Sequence, residues 1–158
     1  MLDGDKNGRR PIPVWGVFEQ TPALVTDAIG VWVPAFRTWR DAYALMFEIR
    51  TFPPHRLADL HLLAYRDDEV PDALDVMVAH PDGRAGAPNR PGTRDDLAVM
   101  ISGQRTDADC DGAVHVAAPP PDGIVRLTLS WPAGGLDHAV IDIPGQVIAE
   151  HAARVIDW

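Results

Sequence analysis

The run Ile124-Val125-Arg126-Leu127-Thr128-Leu129-Ser130-Trp131 alternates apolar and polar residues without a break. Val125, Leu127, Leu129 and Trp131 share one face, and Arg126, Thr128 and Ser130 the other, which is the period of a half-buried strand. Pro132-Ala133-Gly134-Gly135 is a turn, and Ala139, Ile141 and Ile143 resume the alternation beyond it. The two runs read as an antiparallel hairpin with one wet face. After Pro144-Gly145 the period lengthens to about 3.6, and Ile148, Ala152, Val155 and Ile156 form an apolar stripe. That predicts a C-terminal helix over 145–157, started by a proline whose missing N–H costs nothing there. A helix of about three turns is not stable alone, so the stripe must pack on a sheet.

The same alternation recurs upstream. Val31 to Trp39 is β-branched and aromatic, interrupted by Pro34, and Tyr43, Leu45, Phe47 and Ile49 fall on one face after a short turn at Arg40-Asp41. These two segments read as a second hairpin. Leu74, Val76 and Val78 alternate, and Leu97 to Ile101 and Ala113 to Ala117 read as short strands. His80-Pro81-Asp82-Gly83 is a turn, Ala85 to Asp96 a solvated loop, and Gly103 to Gly112 a polar loop. Residues 55–71 fit a short helix or an irregular loop equally well. Residues 1–10 read as a flexible tail, and 11–158 as a single domain. The fold class expected is all-β, or β-dominated α+β: an antiparallel β-sandwich of about seven strands with a C-terminal helix.

A length of 158 residues and an apolar content of 46% suit one domain with an ordinary core. Fourteen basic residues against 23 acidic give a net charge of −9. A protein that neutralises phosphates needs clustered Lys and Arg, so neither nucleic acid nor an anionic membrane is an expected partner. Lys6 is the only lysine, which removes an internal Schiff base or a P-loop. Cys110 is the only cysteine, so no internal disulfide can form. No leader or membrane-length apolar run is visible, and the chain reads as cytoplasmic.

The turn Pro119-Pro120-Pro121-Asp122-Gly123, the ending Trp131-Pro132-Ala133 and the stretch Ile148-Ala149-Glu150-His151-Ala152-Ala153-Arg154 with Trp158 resemble a group of small uncharacterised proteins from high-GC Gram-positive bacteria. Pro81-Asp82-Gly83-Arg84 after an apolar strand resembles the same group. The group has no known activity, so the resemblance implies one compact β-rich domain and no mechanism.

Candidate chemistry is sparse. Asp107, Asp109 and Asp111 before Gly112 open like a calcium loop, but the twelfth position is Ala118 where a bidentate Glu is required. What remains is an aspartate-rich loop that could collect Ca²⁺; otherwise no cofactor is expected. The six histidines lack metal-ligand spacing, and Ser102 and Ser130 lie outside any nucleophile elbow. Asp109 and Asp111 flank Cys110 and oppose a thiolate. Trp32 and Trp39 have opposite parity, so a regular strand would turn one of them away from the core, under a loop or at an interface. The reading is therefore a non-enzymatic binding or interaction module with a protein partner or a second copy of itself. The alternative is a small metal-dependent hydrolase using dispersed His and Asp.

Overall fold

The computed structural model describes residues 12–53, 74–88, 97–106, 109–131 and 136–156. Ten strands form among them: β1 Val14–Val17, β2 Ala23–Val25, β3 Ile29–Thr38, β4 Tyr43–Thr51, β5 Asp75–Ala79, β6 Ala85–Gly86, β7 Val99–Arg105, β8 Asp109–Val116, β9 Ile124–Trp131 and β10 Leu136–Pro144. One helix, α1, spans Gly145–Ala152. All pairings are antiparallel. A six-stranded sheet runs β1-β3-β4-β8-β7 with β2 also on β3, and a four-stranded sheet runs β10-β9-β5-β6. The count exceeds about seven because β1, β2 and β6 are too short to display a period.

The alternations named in the sequence become the two inner faces. Phe36, Tyr43, Leu45, Phe47, Ile49, Val114 and Val116 of the larger sheet face Val76, Val78, Val125, Leu127, Leu129, Trp131, Ile141 and Ile143 of the smaller. Burying such side chains stabilises by roughly 1.5–3 kcal/mol each, which is what holds the layers together. Ile148 of α1, itself fully buried, belongs to the same core. The helix ends at Ala152, short of the 157 expected, because Arg154 and Val155 donate to His151 and Ala152 and tighten the chain into a turn. Val155 is still buried, and its carbonyl accepts from Arg40 at 2.9 Å.

Two expected loops are corrected in part. Ala85–Gly86 forms the edge strand β6, residues 89–96 of that expected loop lying outside the described ones, and residues 103–105 and 109–112 continue the β7 and β8 strands. Gly103 pairs with Gly112, and a Cβ at 112 would collide with the Ser102 carbonyl and press on the Phe47 ring. A strand here must therefore carry glycine, a residue that reads as loop.

A bulge shapes β3. Trp32 pairs with Glu48 and Ala35 with Met46, so the ladder skips across Val33-Pro34. Proline has no N–H to give a ladder, and an extra residue is accommodated there at little loss. The bulge inverts parity. Ile29, Val31 and Val33 are buried before it, Phe36 and Thr38 after it.

Candidate protein-binding face

Parity inversion places Trp32, Arg37 and Trp39 on one face of the larger sheet, the face turned away from the core. Sequence reasoning assigned Trp32 and Trp39 to opposite faces of a regular strand; the bulge is why they share one. Trp32 lies beside Ala23 and Glu48, and Trp39 begins the turn to β4, its N–H donating to Ala42 at 2.8 Å. Both are half-buried.

Register builds a row across this face. Trp15 opposes Arg37, Arg37 opposes Ala44, Ala44 opposes His115, and His115 opposes Met100. The Arg37 guanidinium carbon lies 5.6 Å from the Trp15 ring centre and 5.3 Å from that of Trp39. Both distances are within the range of a cation–π attraction. Trp15 is 57% exposed, Val17 in the next row 70%, and Met100 at the far end 68%. Ala44 is buried beneath its neighbours. The place of Trp15 on this face escaped the sequence reading. Arg37 and Trp39 share a face two residues apart, but Trp15 joins them only through the β1–β3 register.

Beside the row, a groove of about 490 Å³ at the bulge is lined by Pro34, Met46, Glu48, Ser102, Gln104 and Asp111 among others. Glu48 and Asp111 stand directly opposed, and in the next row Asp109 lies 3.8 Å from Arg50. The alternate spacing of Asp109 and Asp111 is that of the wet side of β8, with Cys110 buried between them. Asp107, the third residue of the calcium candidate, lies outside the described residues.

The Ser102 hydroxyl and His115 Nε2 are 3.2 Å apart on this face. Burial, and secondly the positive charge of Arg37, push the His115 pKa down, so its imidazole is neutral at pH 7. A serine and a neutral imidazole in contact are two parts of a nucleophile system, but a third group must orient the base. Among the described residues nothing hydrogen-bonds the other ring nitrogen of His115.

The buried polar pair lies elsewhere. The Tyr43 hydroxyl at the start of β4 is 2.6 Å from Nε2 of His80, just after β5, so the contact ties one sheet to the other. Burial raises the Tyr43 pKa far above its ordinary value, and burial followed by Arg84 lowers that of His80. The phenol and the imidazole share one buried hydrogen bond. The turn beyond is held by His80 donating to Arg84, by Gly83 at φ +91, and by Asp82 accepting from the Arg84 backbone at 3.0 Å.

His80, His115, His138 and His151 sit apart: at the sheet–sheet contact, on the outer face, at the irregular start of β10, and on α1 against Phe36. His55 and His61 lie outside the described residues. No group of three metal-ligating side chains is gathered among the described residues. No described helix is long and apolar enough to cross a membrane. Comparison of the chain with protein families, curated proteins and solved structures finds no match.

Proposed function

We propose that this chain is a protein-binding module that engages its partner through the outer face of the six-stranded sheet. The observation that carries the reading is exposed Trp15 and Val17 side by side on β1 against Arg37 and Trp39, with exposed Met100 at the other end of the same row. Exposed apolar side chains scattered singly are ordinary, but a contiguous group of them marks a contact surface. Trp and Arg are also the residues that most often dominate binding energy at protein interfaces. A rigid sheet presents them without the ordering cost a loop would add. The lone Cys110 and the absence of clustered basic residues support a cytoplasmic, protein-directed role.

The test uses wild type and Trp15→Ser as baits in an extract of the source cell, followed by reconstitution with the purified partner. The expected result is a partner retained by wild type and lost by W15S, with the unfolding transition of the bait unchanged. Equal recovery by both baits sinks the proposal. Sedimentation of the chain alone over a wide concentration range distinguishes a foreign partner from a second copy.

A further inference from the structure

Building on that binding reading, we propose that the partner brings a carboxylate, flanked by apolar side chains, to the guanidinium of Arg37. A guanidinium carries five N–H donors, and its cation–π contacts with Trp15 and Trp39 supply no carboxylate or carbonyl acceptor for them. Among the described residues, no carboxylate lies within ion-pair distance of Arg37 and no acceptor bonds to it. Its Nε is buried without an acceptor. The strand acids of the same face, Glu48, Asp109 and Asp111, stand two or more rows further along the strands, on the order of 13 Å away or more at the spacing of a pleated strand. Among the described residues this charge is left unanswered.

Charge complementarity selects the occupant. An arginine held against two indoles is matched by the planar, bidentate carboxylate of Asp or Glu. One arginine with no lysine among the described residues does not suit a polyanion, and a net charge of −9 repels one. That repulsion also bears on an acidic partner, but screening confines it to about 8–10 Å at ordinary salt, where the local pair takes over. Val17 stands in the row next to Trp15 and supplies apolar contact for a residue flanking the carboxylate.

Three capped hexapeptides in which Leu alternates with Glu, Gln or Lys serve as probes, read by titration of the Arg37 Nε–H and the Trp15 and Trp39 indole N–H signals in NMR. The Glu peptide is expected to bind about tenfold or more tighter than the Gln peptide, a preference of the size one charge-assisted pair supplies. Arg37→Gln should erase the preference and Arg37→Lys retain part of it. Equal binding of the Glu and Gln peptides, or tighter binding of the Lys peptide, overturns the carboxylate while leaving the binding face intact. No binding of any peptide to the face overturns both. Should R37Q not fold, the peptide series on wild type decides alone.

Discussion

The β9–β10 and β3–β4 hairpins carry tryptophans with opposite fates. In β9 the alternation runs unbroken from Val125 to Trp131, and Trp131 is 2% exposed in the core. In β3 the alternation runs only to Val33, and beyond Pro34 the inward set changes from odd to even positions. Trp32 and Trp39 thus both face outward, and Arg37 lies within cation–π distance of both Trp39 and Trp15. Parity is a reliable guide to burial only as far as the next bulge. The clean hairpin builds the core; the bulged one supplies the contact surface.

The largest effect expected from this contrast is at Trp131. Trp131→Ala removes a filled core position and should cost about 3–5 kcal/mol in urea unfolding, from lost transfer energy and the cavity left behind. A cost near zero would mean that the inner face of β9 is not packed, and the contrast would disappear.

Next comes the pair that joins the two sheets. Tyr43→Phe leaves the buried Nε2 of His80 without its hydrogen-bond partner and should cost about 1–3 kcal/mol. The same site predicts a pH dependence. The folded pKa of His80 is lowered, so the unfolded chain binds the proton more readily. Stability is full above the unfolded value of about 6.5 and is lost as pH falls from there through the folded value. Tyr43, Arg84 and Asp82 are the titratable or charged groups named around it, and burial dominates. His115 shifts in the same sense, so the measurement belongs in a His115→Gln background. Flat stability between about pH 7 and 5.5 there would remove His80 from the account.

How much of this was legible follows from the same physics. Both long hairpins and the helix stripe were visible because each repeats its period several times. The β7–β8 tip was hidden because Phe47 demands glycine at 112, and Asp109 and Asp111 read as loop or ligand residues when they are the wet side of a strand. Of the contact face, Trp32 and Trp39 were visible as outliers. Trp15 stood out as a tryptophan on an extended edge, but its place on this face was not legible, since only pairing with Arg37 across β1 and β3 brings it there.

The outward tryptophan gives a smaller effect. Trp39→Ala should cost about 1 kcal/mol or less, since a half-buried side chain leaves no closed cavity. Loss of the stack should show instead as a changed environment of Arg37 and weaker partner binding. If Trp39→Ala destabilised more than Trp131→Ala, the bulged hairpin would hold the core and the assignment of faces would be reversed.

The smallest expected effect is none, and it concerns the same outer face. Asp109 and Asp111 project from one side of β8, and same-side neighbours along a strand are about 6.6–6.8 Å apart. Calcium draws six to eight oxygens to within about 2.3–2.6 Å of itself, a convergence that a straight strand does not provide. Their surroundings differ as well: Arg50 approaches Asp109, while Asp111 faces Glu48 across the ladder. Any ligand that prefers the native state raises the melting temperature, so millimolar Ca²⁺ should leave both wild type and Asp109→Asn unmoved. A rise in wild type that Asp109→Asn abolishes would mean that the tip of the β7–β8 hairpin reorganises around the ion. The aspartates would then belong to a binding site, and the outer face would have two functions in place of one.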